Sequence, residues 1–168
     1  DLKTESEDGS YLAYSTILNR CKESDMNSET FYSALQSHGF QYGPEFQIIE
    51  RIHGGDEEAV AILKSSADRS QQANIVVLDG MFQTSFHAAM GLLERKTYLP
   101  VAIDQLNFFY NGIKENDNFI TWAKVVNADQ GMVECDIKLC QVSDGLLIAE
   151  VIGLRLQSLG LPQSVEQY

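Results

Sequence analysis

Apolar positions along this chain follow two different periods. From Met132 to Cys140, the apolar residues Val133, Cys135, Ile137 and Leu139 alternate with Glu134, Asp136 and Lys138. That is the two-residue period of a strand with one buried and one wet face. Similar runs predict strands over Val101–Tyr110, Phe119–Val126, Met132–Cys140 and Leu146–Leu156. They are separated by Asn111-Gly112, Asp129-Gln130-Gly131 and Ser143-Asp144-Gly145, all turn chemistry. Upstream, two shorter strands are expected over Phe46–Ile52 and Ala59–Leu63, joined at His53-Gly54-Gly55-Asp56, with a polar loop over 65–73. Asn27 or Ser28 caps a short helix over Glu29–Ser37 that carries Phe31, Tyr32 and Leu35 on one face and stops at Gly39. A Gly-Pro turn follows within Phe40–Gln47.

The middle of the chain breaks both patterns. From Val76 to Leu93 the polar side chains are only Asp79, Gln83, Thr84, Ser85 and His87. A helix over Leu78–Glu94 would be apolar on every side, so the rest of its domain has to enclose it. One antiparallel sheet wrapped around a single long central helix meets that demand most simply. The expected class is therefore α+β, a single hotdog. Its sheet edges and half-open groove call for pairing with a second hotdog, which would make it half of a double hotdog. The expected organisation is a lead-in over 1–27, the hotdog over 28–160 and a C-terminal tail over 161–168. The acidic start, Asp1 to Asp8, reads as a tail or a cut linker.

Composition narrows the partners. The chain has 168 residues, and 24 acids against 12 bases give a formal charge of −12, which disfavours nucleic acid and anionic membrane. No apolar run reaches the ~18 residues needed to span a bilayer, and no secretory leader is visible. Cys21, Cys135 and Cys140 are an odd number without zinc spacing, and His38, His53 and His87 stand apart from any ligand cluster. Cys135, which alternates with apolar residues, is expected to be a reduced, buried thiol; a reducing cytoplasm fits, and no metal site is expected.

Asp79 is the candidate for chemistry, because a carboxylate in an apolar helix is costly unless paired, protonated or reactive. Two readings stand. As an N-cap it would accept backbone N–H bonds, although a capping box would place Glu or Gln where Phe82 stands. Alternatively, the i,i+4 spacing puts Gln83 on its face to orient it. Burial would then raise its pKa enough for general acid work near neutral pH.

Tyr42-Gly43-Pro44-Glu45-Phe46-Gln47, then Leu78-Asp79-x-x-x-Gln83, then Leu99-Pro100-Val101 resembles the C-terminal hotdog of polyketide synthase dehydratase domains. Phe31-Tyr32-x-x-Leu35 and the closing Gly153-Leu154-Arg155-Leu156 fit the same pattern, so the resemblance runs over roughly 18–159. It implies removal of water from a β-hydroxyacyl thioester carried on the phosphopantetheine arm of acyl carrier protein, with no cofactor of the enzyme's own. Asp79 would protonate the departing hydroxyl, and Gln83 would hold Asp79. Tyr42, Gly43 and Pro44, with Phe46 and Phe82, would line the substrate tunnel; for Tyr42 a packed turn aromatic is an equal reading. A histidine from an N-terminal hotdog would take the α-proton.

The chain departs from that family in two places. Asn74 and Ile75 stand where His-Pro usually precedes the aspartate, and no His-x-x-x-Gly-x-x-x-x-Pro occurs. His87, two turns beyond Asp79, reads either as a satisfied core histidine or as a replacement base. Without a base the isolated chain is expected to be feeble or inactive. The alternatives are a non-catalytic scaffold or acyl-carrier-protein docking module, and a homodimeric hotdog thioesterase. Arg95-Lys96 offers a basic spot for an acidic carrier, or simply complements the helix dipole.

Overall fold

The computed structural model describes residues 14–64, 71–93, 98–109, 118–142 and 145–158, with the backbone alone for 71–74. Three helices, α1 (Tyr14–Arg20), α2 (Ser28–Ser37) and α3 (Gln71–Ala89), accompany eight strands. These are β1 (Ser24–Asn27), β2 (Ile49–Gly55), β3 (Glu58–Leu63), β4 (Tyr98–Ala102), β5 (Gln105–Phe108), β6 (Phe119–Asp129), β7 (Met132–Gln141) and β8 (Leu147–Ser158). All pair antiparallel in one sheet of order β1-β2-β3-β6-β7-β8-β4, with β5 also on β8. The inner face holds Ile52, Ala61, Ala123, Cys135, Ile137 and Leu154 among its fully buried residues, packed with Met81, Phe86 and Ala89 of α3. This is the α+β hotdog arrangement that the two periods predict.

The polar residues of α3 do not spoil its enclosure. Thr84 Oγ1 donates to the Gly80 carbonyl at 2.9 Å and Ser85 Oγ to that of Phe82 at 2.5 Å, so both hydroxyls are satisfied within the helix. The helix begins at Gln71 rather than at Leu78, and ends at Ala89 rather than at Glu94, which lies outside the described residues. Its first turns include the β-branched run Ile75-Val76-Val77, poor in helix propensity but free of any breaker. Ile75 is 60% exposed, so this end extends beyond the core that the apolar pattern marks.

Other boundaries move for physical reasons. The strand expected from Phe46 begins at Ile49, because Pro44–Phe46 forms a turn of 3-10 helix. The hairpin turn is Asp56-Glu57, with Glu57 at φ 53°, and not the Gly-Gly pair. Gly54 and Gly55 lie inside β2 because neighbours press on them. A Cβ at Gly54 would sit 2.5 Å from Ser24 Oγ and 2.7 Å from His87 Nε2, and one at Gly55 would sit 2.6 Å from the Arg20 carbonyl oxygen.

The single strand expected over 101–110 is two, broken at Ile103-Asp104, and Tyr110 lies outside the described residues. Gly153, at φ 70°, kinks β8 there. The Asp104 carboxylate occupies the space a Cβ on Gly153 would need, and it pairs with Arg155 Nη2 at 2.8 Å.

Within the segment expected as an extended lead-in, residues 14–27 form α1 and the edge strand β1. Ile17 and Cys21 close the outer face of the sheet over Val60, Ile120, Cys140 and Leu147. One carboxylate anchors this cover. Glu58, 5% exposed, takes Arg20 Nη2 at 2.6 Å, Arg20 Nε at 3.0 Å and Trp122 Nε1 at 2.7 Å. Burial alone would raise its pKa; the hydrogen bonds and charges of Arg20, Trp122 and Lys124 outweigh it and hold the carboxyl below its ordinary value. Its stabilisation is therefore present above the unfolded-state carboxylate pKa and is lost as pH falls through the lowered one. Replacing Glu58→Ala removes the carboxylate to which Trp122 Nε1 and the Arg20 guanidinium donate. We expect a loss of about 2 kcal/mol in urea denaturation at pH 7, shrinking at acid pH.

Candidate active site around Asp79

Asp79 lies two turns inside α3, counted from Gln71, so it is not an N-cap. The backbone N–H groups ahead of it already belong to the helix ladder, and its carboxyl group must find other partners. Gln83, one turn on, supplies one: its Nε2 donates to Asp79 Oδ2 at 2.7 Å. The same nitrogen donates to the Phe46 carbonyl at 2.9 Å. Gln83 Oε1 accepts from the Tyr32 hydroxyl at 2.7 Å, and the Tyr32 oxygen accepts the Ile49 N–H at 3.0 Å. Gln83 is wholly buried, and its amide is satisfied at both ends.

Asp79 itself is half-buried. Burial raises its pKa, and the Gln83 hydrogen bond opposes that rise without cancelling it. Such a group holds its proton to higher pH than an exposed aspartate while keeping a route to solvent or a ligand.

The turn motif reaches the same place. Pro44–Phe46 presents the Phe46 carbonyl to Gln83, and Gln47 Nε2 donates to the Tyr42 carbonyl at 2.8 Å, bracing the loop. Tyr42 is half-buried, its ring edge-on to that of Tyr32 with centroids 6.1 Å apart. Its phenol is pushed well above the ordinary value by burial first, then by the Asp79 charge and by Tyr32. Asp79, Gln83, Tyr42 and Phe46 thus meet, although 32 or more residues separate the turn from the helix pair. Gly43 and Pro44 are exposed on the turn, and Phe82 is half-buried against the core. Tyr32, read from sequence only as part of an apolar helix face, is the residue that reasoning passed over. A tyrosine at a buried helix position needs a partner for its hydroxyl, and that was the available signal.

His87 is placed elsewhere. It lies eight residues beyond Asp79, about 12 Å along the helix axis. Its Nε2 is 2.9 Å from Ser24 Oγ, and its ring packs edge-on to Phe31. At that separation, and held to Ser24, it does not share a site with Asp79. It is a satisfied core histidine. His38 Nδ1 lies 2.9 Å from the Ala34 carbonyl at the end of α2, and His53 Nδ1 lies 3.5 Å from Asp25.

Cys21, Cys135 and Cys140 are buried free thiols, and burial pushes Cys21 up to about 11 and Cys135 up to about 12. Among the described residues, no three His, Cys, Asp or Glu side chains gather as a metal site, and no helix is long and apolar enough to cross a membrane. Arg95 and Lys96 lie outside the described residues, as does the side chain of Asn74.

Residues 13–164 match the family described as polyketide synthase dehydratase N-terminal domain. The polyketide synthase PksM of Bacillus subtilis (strain 168) is 22% identical over 160 residues, which is 89% of this chain and 4% of PksM. The dehydratase domain from the CurJ module of the curacin polyketide synthase shares the fold. It is 24% identical with a TM-score of 0.73, over 88% of this chain and 54% of that one. The CurK dehydratase, solved as an inactive mutant with an aspartate replaced by asparagine, is 23% identical with a TM-score of 0.68, over 88% of this chain and 52% of that one. This chain therefore spans about half of those solved chains and a small part of the synthase.

Burial lowers the pKa of His87 to about 4. A histidine depressed in the folded state is neutral there, while the unfolded chain takes up its proton near 6.5. Stability should accordingly fall as pH drops from about 6.5 to 4. In His87→Gln, which keeps a partner for Ser24, that slope should flatten by an amount on the order of 1–3 kcal/mol across the window, as read by chemical denaturation at stepped pH. An unchanged slope would show that His87 is not held neutral.

Proposed function

This chain belongs to the polyketide synthase dehydratase family, and on that premise we propose that it is the acid-bearing hotdog of such a dehydratase. The family description speaks of an N-terminal domain; the assignment to the acid-bearing half rests on the residues of this chain. Asp79 and Gln83 carry it, together with the lack of a full His-x-x-x-Gly-x-x-x-x-Pro stretch anywhere in the sequence. The single strongest observation is the geometry of that pair: a half-buried carboxyl group, two turns into an enclosed helix, gripped by a buried amide at 2.7 Å.

The chemistry follows from which oxygen is gripped. Gln83 donates to Oδ2, so Oδ2 is the acceptor and Oδ1 is left to carry the proton. With a β-hydroxyacyl thioester in place, Oδ1–H donates to the β-hydroxyl. The C–O bond breaks with loss of water, a base removes the α-proton, and the electron pair of that C–H bond forms the α,β double bond. Asp79 is left as carboxylate and is reprotonated for the next turnover. Tyr42, Gly43, Pro44, Phe46 and Phe82 form the substrate-facing wall, and the acyl chain arrives on the phosphopantetheine arm of acyl carrier protein. No cofactor takes part. The working compartment is the cytoplasm.

The base comes from a second hotdog. His87 is too far along the helix and is engaged with Ser24. An apolar strip supports a missing partner: Leu99, Val101, Ile103, Leu106, Phe108 and Phe109 are all exposed along the β4–β5 edge, Phe108 at 60%. Apolar sheet edges of this kind need cover, and the solved dehydratases contain nearly as much chain again. That the CurK protein is inactive with asparagine in place of an aspartate accords with an acid role for Asp79.

In the synthase dehydratase that carries this chain, Asp79→Asn should cut dehydration of a β-hydroxyacyl carrier-protein substrate by at least about 100-fold, followed as the mass change of the loaded carrier. Because a carboxyl with raised pKa destabilises the fold once ionised, the same variant should match or exceed the parent in stability at pH 8, as read by chemical denaturation. Undiminished turnover would remove the proposal.

A further inference from the structure

Gln83 can face Asp79 with either end of its amide, and only the nitrogen end supports the carboxyl group. The choice is made by groups outside α3. A backbone N–H can only donate, so the Ile49 N–H, 3.0 Å from the Tyr32 oxygen, takes up a lone pair there. The Tyr32 proton is then directed to Gln83 Oε1 at 2.7 Å, the Phe46 carbonyl lying farther off at 3.4 Å. With Oε1 occupied, Nε2 meets the two acceptors, Asp79 Oδ2 and the Phe46 carbonyl. A flipped amide would set Oε1 against both. The polarity of the chain thus starts at the first residue of β2 and ends at the acid.

We propose that Tyr32 is a positioning residue of this site: its hydroxyl, ordered by the Ile49 N–H, fixes the orientation of Gln83 and sets the strength of the hydrogen bond that Asp79 receives. This rests on the reading of Asp79 as the acid. Hydrogen bonds in series polarise one another, so donation into Oε1 strengthens donation from Nε2. Tyr32 is buried against Phe31, ring edge to face at 5.0 Å, and its proton is held far above the ordinary phenol range by burial first, with the Asp79 charge adding to it. It stays a donor at every working pH and does not touch the reacting atoms.

The test has two arms. The first is the titration of the Asp79 carboxyl in the 168-residue chain, followed by carbon-13 NMR. Tyr32→Phe keeps the ring and removes the hydroxyl, so Asp79 loses support for its charged form and should titrate at higher pH than in the parent. Incorporating 3-fluorotyrosine at position 32 strengthens the donor and should move the titration lower. The second arm is the pH profile of dehydration in the synthase dehydratase. There Tyr32→Phe should lower kcat roughly tenfold with KM unchanged and carry the alkaline limb upward, since a more basic Asp79 keeps its proton longer.

A titration of Asp79 that is unmoved in both Tyr32 forms overturns the proposal. If Tyr32→Phe does not fold, the fluorotyrosine form decides alone, since its shape is nearly that of the parent. If the titration moves while Asp79→Asn turns over normally, Tyr32 positions Gln83 as argued and it is the acid reading that fails. A merely structural Tyr32 would lower stability without moving either the titration or the alkaline limb.

Discussion

Everything at this site depends on one buried amide. Gln83 has no exposed surface, and each of its hydrogen bonds comes from a different part of the chain: α2 through Tyr32, the Pro44–Phe46 turn through a carbonyl, and α3 itself through Asp79. An unsatisfied amide in such a place would cost ~1–3 kcal/mol per lost partner. The three elements are therefore held in register by polar satisfaction as well as by packing. The consequence for chemistry is direct. If Asp79 works as the proposed acid, the amide that donates to Oδ2 also decides which oxygen is left to carry the proton.

The apolar enclosure makes the amide effective. Helix α3 runs across the inner face of the sheet, so Asp79 loses much of its hydration without leaving reach of a ligand. In water a Gln–Asp hydrogen bond would be exchanged freely for solvent. Inside the hotdog the same bond is electrostatically stronger and geometrically fixed. The Glu58 carboxylate, on the other face of the sheet, shows the contrast. Its partners include a guanidinium, so the hydrogen bonds and charge outweigh burial and it stays charged. Asp79 has a neutral amide, so burial wins. Two carboxylates within one small domain are thus shifted in opposite directions by what faces them.

The fold was legible in the sequence wherever burial wrote a period, and illegible wherever it did not. The alternation around Val133–Leu139 and the all-round apolar run through Met81 and Phe86 led to the sheet and its central helix. The Asp79–Gln83 spacing and the Tyr42–Phe46 turn marked residues that the structure brings together. The errors have particular causes. Gly54 and Gly55 looked like turn residues because glycine commonly is one, whereas here Ser24, His87 and Arg20 come too close for a side chain. The N-cap reading of Asp79 depended on a helix start at Leu78, and Ile75-Val76-Val77 concealed two earlier turns. Helix α1 was hidden because only Ile17 and Cys21 of its neighbourhood are fully buried, too few to form a stripe. The role of the Tyr32 hydroxyl required knowing that residues 32, 46, 49 and 83 converge, and no local window contains them.

On the proposed reading of Asp79 as an acid, the site illustrates a general asymmetry of eliminations. Protonating a leaving hydroxyl lowers the barrier only when an electron pair is being released behind it, and that release needs a base within reach of the α-carbon. Helix geometry keeps the one histidine of α3 about 12 Å away along the axis, and its bond to Ser24 ties it to the edge strand. A second function for that histidine in the same reaction would require breaking the contact and moving it past two turns of buried helix. The β4–β5 edge, by contrast, is already apolar, exposed and unpaired on its outer side among the described residues. On that reading, completion of the site by another fold is the economical course, because rearrangement of this one would sacrifice the buried contacts that hold Asp79 in place.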